Sequence, residues 1–177
     1  MPYAIQLYLD EKTNNRIEAI KDTLRSEEIP VDEETCPHIS FAIYDTLSLE
    51  EFSRDLWSYS TSIPPIQIKF VSLGIFLNQK PVFFLGPKVN HMLLDRHQQF
   101  HEHFSDYDGE LWEYYHPEEW VPHCTLALGL EYDELNEACR LLSGVDFPFS
   151  GRLESIGVLE FSPNRQLVEY DFELKNG

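Results

Sequence analysis

Positive charge is what this chain has least of: 13 Lys and Arg stand against 31 Asp and Glu in 177 residues, for a formal net charge of −18. A field of that sign repels polyanions at long range, which disfavours extended binding to duplex nucleic acid and docking on an anionic membrane. A small phosphorylated ligand, or one RNA end in a locally neutral cleft, remains compatible with it. Long hydrophobic runs are also missing, none exceeding the four residues of Val82–Leu85, whereas a membrane span needs about 20. The opening Met-Pro-Tyr-Ala-Ile-Gln-Leu-Tyr has no basic region followed by an apolar stretch, so a cytoplasmic protein is expected. The three cysteines, Cys36, Cys124 and Cys139, are odd in number and lack Cys-x-x-Cys spacing. Neither a disulfide framework nor a zinc ribbon follows, and Cys124 and Cys139 fall on apolar faces that predict buried free thiols.

What the chain does have is aromatic and aliphatic material for a core: 12 Phe, 9 Tyr and 3 Trp, with 42% hydrophobic residues overall. That composition and length predict one globular domain spanning residues 1–177. Alternation predicts strands over Tyr3–Leu9 and His38–Tyr44; Ile17, Ile20 and Leu24 predict a helix between them. Ser48-Leu49-Glu50-Glu51 has the form of a capping box, followed by a stripe of Leu49, Phe52, Leu56 and Tyr59. Strands are expected at Ile66–Phe76 and Val82–Leu85, and a third helix over about Val89–Phe104. A fourth helix carries Leu135, Ala138, Cys139 and Leu142 on one face, with Gly144 at its stop. Strands over Arg152–Leu159 and Leu167–Leu174 close the chain, antiparallel around Pro163-Asn164. Ser105–Trp120, rich in Asp, Glu, Tyr and Trp without a clear period, is expected to be a long loop.

Comparing the chain with itself finds a duplication. Pro37-His38-Ile39-Ser40-Phe41-Ala42-Ile43 is matched by Pro122-His123-Cys124-Thr125-Leu126-Ala127-Leu128, 85 residues on. Ser72-Leu73-Gly74-Ile75-Phe76 is matched by Ser155-Ile156-Gly157-Val158-Leu159 at an offset of 83. The order strand, helix, strand recurs in both, which predicts two related halves and a two-lobed fold with pseudo-twofold symmetry.

Side chains alternate across a strand, so His38, Ser40 and Ala42 are expected on one face and Ile39, Phe41 and Ile43 on the other; His123, Thr125 and Ala127 repeat the pattern opposite Cys124, Leu126 and Leu128. Facing inward about a twofold axis, two imidazoles and two hydroxyls would line one cleft. A neutral imidazole there takes a proton from an attacking hydroxyl or water, and an imidazolium gives one to the leaving oxygen. The Ser40 and Thr125 hydroxyls donate to non-bridging phosphate oxygens. No metal or other cofactor is required by that set.

With its two motifs His38-Ile39-Ser40 and His123-Cys124-Thr125, the sequence resembles the two-histidine (2H) phosphoesterase superfamily, which includes 2′-5′ RNA ligase-like proteins and cyclic nucleotide phosphodiesterases. The resemblance implies an α+β, bilobal fold in which antiparallel sheets of two pseudo-twofold-related lobes line a central cleft, with helices outside. It implies metal-independent chemistry at 2′,3′-cyclic or 2′-5′ phosphodiester linkages of a nucleotide or RNA end. The alternative is a non-catalytic module that binds a nucleotide or phosphorylated ligand in the same cleft; two intact motifs favour the enzyme over it. A purely structural acidic protein leaves the duplicated faces unexplained. No heptad or exposed apolar stripe asks for a partner subunit, so a monomer is expected.

Other features have two readings each. Tyr115 and Trp120, in the aromatic stretch with Tyr107, Trp112 and Tyr114, are candidates for stacking on a base or rimming the cleft, against ordinary packing. His97 and His101, four apart on the third helix, have metal-ligand spacing. No His-Glu-x-x-His or Cys partner accompanies them, so structural or solvated histidines are expected. Among the scarce cations Arg54, Lys69, Lys80 and Lys88, nothing selects one for phosphate. The acidic residues Glu27, Glu28 and Asp32–Glu34 are expected in a solvated loop.

Overall fold

A computed structural model describes residues 1–33, 35–161 and 164–173. Among these residues seven strands and four α-helices follow in the order β1 (Tyr3–Leu9), α1 (Glu11–Arg25), β2 (His38–Tyr44), α2 (Leu49–Ser60), β3 (Ile66–Phe76), β4 (Val82–Pro87), α3 (His91–His103), β5 (Cys124–Ala127), α4 (Tyr132–Leu142), β6 (Phe149–Glu160) and β7 (Arg165–Asp171). Local chemistry sets the helix starts. The Asp10 carboxylate accepts from the Thr13 amide and hydroxyl to open α1, and Asn90 accepts from the Leu93 amide to open α3. Each helix then buries one apolar stripe, as with Ile17, Ile20 and Leu24 of α1 and Phe52, Leu56 and Tyr59 of α2.

The strands form one antiparallel sheet in the order β2-β1-β6-β3-β4-β5, with β7 on β6. Exchanging β1, β2, β3 with β4, β5, β6 reverses that order onto itself, so the sheet reads the same from either edge. Each half donates its last strand to the other: β6 pairs with β1, and β3 pairs with β4. The two long strands meet at the centre through Ile66–Phe70 and Phe149–Leu153. Leu153 pairs with both Ile66 and Leu9, and Phe70 with both Phe149 and Pro87, so these buried residues join the two halves of the sheet. Among the described strands, β7 alone has no counterpart in the first half.

Several expectations are corrected. Ser48 does begin α2, but its side chain makes no capping bond; the reciprocal capping box is made instead by Glu131 and Glu134 at the start of α4. Cys124 is buried, whereas Cys139 is exposed, because the α4 stripe that turns inward is Leu135, Ala138 and Leu142. The stretch from Ser105 is two short 3₁₀ turns, Ser105–Glu110 and Glu113–Tyr115, with Leu111 bridging to Tyr44, rather than an open loop. The expected contributions of Glu34, Pro163 and Leu174 lie outside the described residues. Among the described residues, no helix is long and apolar enough to cross a membrane.

Candidate active site

The two motifs sit on the edge strands β2 and β5, which the curling sheet brings into contact. Each strand carries a β-bulge at the matching residue. Ile5 and Gln6 of β1 pair with Ala42 and Ser40, leaving Phe41 over; Phe83 and Phe84 of β4 pair with Ala127 and Thr125, leaving Leu126 over. One extra residue flips the alternation beyond it. Ala42 and Ala127 therefore turn into the core, and Ile43 and Leu128 join the cleft wall, the reverse of what strict alternation predicts. Up to the bulge the expected faces hold, and His38, Ser40, His123 and Thr125 all line one cleft of about 550 Å³.

The imidazoles are held alike. His38 Nδ1 lies 2.8 Å from the carbonyl oxygen of Cys36, and His123 Nδ1 lies 2.8 Å from that of Val121. A carbonyl only accepts, so Nδ1 carries hydrogen in both rings, and Nε2 is the nitrogen free to gain or lose a proton. Burial pushes both histidines below their ordinary value; for His38 the Cys36 carbonyl and Asp32 act against burial, and His123 adds to it. The two rings thus disfavour a second charge once one is protonated. They differ in their other neighbours. Gln6 Nε2 is 3.0 Å from His38 Nε2, whereas His123 lies against the rings of Phe76 and Phe84, at 4.9 and 5.5 Å between centroids.

Tyr115 lines the same cleft, its phenol pushed up to about 12 by burial, against which the nearby Ser40 acts. Trp120 does not. It is buried behind β2, stacked on His97 with centroids 3.8 Å apart, and its indole N–H donates to the Ser40 carbonyl at 3.0 Å. His97 and His101 bring their Nε2 atoms to 2.9 and 3.1 Å from the Phe41 carbonyl. This trio props the bulged backbone of β2 from inside the fold. Burial drives His97 down to about 3, with His101 adding to the fall. Among the described residues, no group of three or more His, Cys, Asp or Glu side chains is placed to hold a metal ion.

Other residues of the wall escaped the motif-based reading: Gln6, Val31, Asp32, Glu33, Thr35 and Asn164. Gln6 had a visible signal, as the lone amide in the apolar run Tyr3–Leu9. The rest come from connecting segments whose path no periodicity reveals. None of the described lining residues is Lys or Arg; the cation acting on His38 is Lys21, buried in α1 with its ammonium on the Asp32 carbonyl at 2.9 Å and Glu18 at 3.3 Å.

Residues 9–165 match the family model described as the 2′-5′ RNA ligase superfamily. The fold is similar to that of TT0787 of Thermus thermophilus at TM-score 0.68 and 15% identity, covering 97% of this chain and 98% of that one. It is also similar to E. coli LigT in apo form, at TM-score 0.64 and 14% identity over 98% of each chain. E. coli LigT complexed with 3′-AMP gives TM-score 0.63 and 13% identity over 97% of each. No curated protein matches the sequence.

Proposed function

The chain belongs to the 2′-5′ RNA ligase superfamily, and from that premise we propose that it is a metal-independent phosphoesterase acting on 2′,3′-cyclic or 2′-5′ phosphodiester linkages of a nucleotide or RNA end. The observation that carries the reading is the convergence of two imidazole and hydroxyl pairs, each imidazole anchored through Nδ1 to a backbone carbonyl, on one cleft. On a 2′,3′-cyclic phosphate, one neutral Nε2 takes a proton from water as its oxygen bonds to phosphorus. The other Nε2 gives a proton to the ribose oxygen as its bond to phosphorus breaks, leaving a ribose hydroxyl and a phosphate monoester. Ser40 and Thr125 donate to the non-bridging oxygens as negative charge builds there, with Tyr115 on the same wall. E. coli LigT, of like fold, is known in complexes with 3′-AMP and phosphate, which supports a small phosphorylated ligand here. The protein acts as a cytoplasmic monomer in this reading.

The test is hydrolysis, after chelator treatment, of a panel of 2′,3′-cyclic nucleotides, 2′-5′ and 3′-5′ dinucleotides and ADP-ribose 1″,2″-cyclic phosphate. Turnover of at least one compound by wild type, lost in His38→Ala and in His123→Ala with the fold intact, is expected. Equal activity in either variant refutes the mechanism, and a ligand bound but recovered unchanged points to the binding module instead.

A further inference from the structure

Where the two histidines differ, they differ at matching positions. In the strand beside each motif, Gln6 pairs with Ser40 and Phe84 pairs with Thr125. The same two places therefore put an amide against His38 and a phenyl ring against His123. Behind Gln6 the amide continues into a chain of polar groups. The Tyr8 hydroxyl is 3.0 Å from Gln6 Oε1 and 2.6 Å from Gln166 Oε1, and Gln166 Nε2 donates to the Val168 carbonyl at 2.6 Å. Gln166 and Val168 belong to β7, the strand without a counterpart in the other half. Gly157 makes room for the chain: a methyl group there would meet Gln166 Nε2 and the Val168 carbonyl oxygen, both at 2.5 Å.

Counting hydrogens along this chain gives it a direction. The Val168 carbonyl can only accept, so the Gln166 amide nitrogen faces it and the Gln166 oxygen faces Tyr8. Tyr8 has one hydrogen, and burial, which the Gln166 bond only partly offsets, keeps the phenol from ionising. If Gln6 turns its nitrogen to a neutral His38, its oxygen and that of Gln166 both need the single Tyr8 hydrogen, and one close oxygen pair is left unbridged. A half-turn of the Gln6 amide brings its nitrogen to the Tyr8 oxygen and its oxygen to His38 Nε2. Every contact is then bridged, provided that Nε2 carries a proton.

We propose that Gln6, Tyr8 and Gln166 are positioning residues forming a relay whose hydrogen bonds all close only when His38 is protonated, so that the cleft holds its one mobile proton on His38 rather than on His123. The inference rests on the proposed phosphoesterase reading for its use in turnover. There, His38 enters as the proton donor and His123, unpartnered at Nε2 among the described residues, as the acceptor. When His38 releases its proton to the leaving oxygen, the Gln6 amide turns and donates to the bare Nε2. When the proton returns from His123 through solvent, it turns back. The charged and titratable groups facing His38 are Asp32 and Glu33 ahead of β2, Lys21 of α1, His123 just ahead of β5 and Tyr115 on the same cleft wall; Cys36 and Glu169 face Tyr8. Asp32 favours the imidazolium, whereas Lys21 and a charged His123 oppose it.

The experiment is an NMR titration of the imidazole resonances, with no substrate present, in wild type, Gln6→Leu, Gln6→Glu and Tyr8→Phe. In wild type the His38 midpoint is expected above that of His123. Gln6→Leu should lower the His38 midpoint by about one pH unit, Tyr8→Phe should lower it by less, and Gln6→Glu, which accepts but cannot donate, should raise it. A higher midpoint for His123, or a His38 midpoint unmoved by both Gln6 variants, overturns the relay. Should Gln6→Leu fail to fold, Tyr8→Phe decides, since it leaves Gln6 beside His38 and breaks only the chain behind it; a His38 midpoint equal to that of wild type overturns the relay. Because the readout needs no turnover, an unmoved midpoint in an active enzyme sinks only the relay, and shifted midpoints in an inactive protein sink only the phosphoesterase reading.

Discussion

Replacing His97 with Phe should make the protein less sensitive to acid, by an amount that the structure sets. His97 is 1% exposed, and burial depresses it from 6.5 to about 3. Its folded value lies below its unfolded one, so its neutral form contributes fully above pH 6.5, and that contribution is lost as pH falls from 6.5 toward 3. At pH 5 the unfolded chain has taken up the proton and the folded one has not. A gap of about 1.5 pH units at about 1.36 kcal/mol each removes about 2 kcal/mol relative to neutral pH. That is a large part of the 5–15 kcal/mol roughly available to a domain. In His97→Phe the ring stays on Trp120, and the Phe41 carbonyl keeps His101 at 3.1 Å. The variant should therefore lose about 1 kcal/mol at pH 7 for the missing hydrogen bond, yet fall by about 2 kcal/mol less than wild type between pH 7 and pH 5. Urea denaturation at pH 7, 6 and 5 on both proteins measures the difference, in which carboxylate titrations common to the two cancel. Parallel pH profiles for variant and wild type would refute the argument.

Two further outcomes follow from the cleft and its flanks. With Asp32 and Glu33 on its wall and no Lys or Arg among its described lining residues, the cleft should prefer a substrate whose only charge is the diester. A 2′,3′-cyclic nucleotide with a free 5′-hydroxyl should exceed its 5′-phosphorylated form by about tenfold in kcat/KM, the ratio shrinking as salt rises; equal rates at low salt would contradict this. Gly74→Val places a side chain where the Phe84 ring lies over β3, and should cost about 1–3 kcal/mol while broadening the His123 resonance; an unchanged Tm and spectrum would show that the ring moves freely.

Much of the molecule could be read from residue order alone, and what could not has identifiable causes. The stripes of α1 and α2 are local, and the structure keeps them; β1 forms where its pattern places it but is buried on both faces. The His-x-Ser and His-x-Thr faces hold as far as the third residue, then fail at Ala42 and Ala127, because a bulge is a feature of how two strands pair and is not written in the alternation of one. Ser48 and Glu50-Glu51 spell a cap, but the box forms at Glu131, a poorer residue by propensity whose partner Glu134 reaches back. Trp120 reads equally well as a stacking platform or a packed ring; only tertiary structure shows its indole on the Ser40 carbonyl. Of the relay, Gln6 stands out by polarity, while Tyr8 and Gln166 lie 158 residues apart in sequence and carry no pattern that joins them.

The exchange of β3 and β6 between halves bears on how the molecule comes apart. Residues 1–76 alone would keep β1 and β2 as a two-stranded ribbon and β3 without its neighbours, since in the sheet β6 lies between β1 and β3, and β3 pairs onward with β4. Such a ribbon has little independent stability. A cut between the halves would therefore leave two fragments that each need the other to complete the sheet. The two histidines, carried at opposite edges of the sheet, are thus joined through Phe70 and Leu153, the residues that link the central β3–β6 pair to the strands beside it.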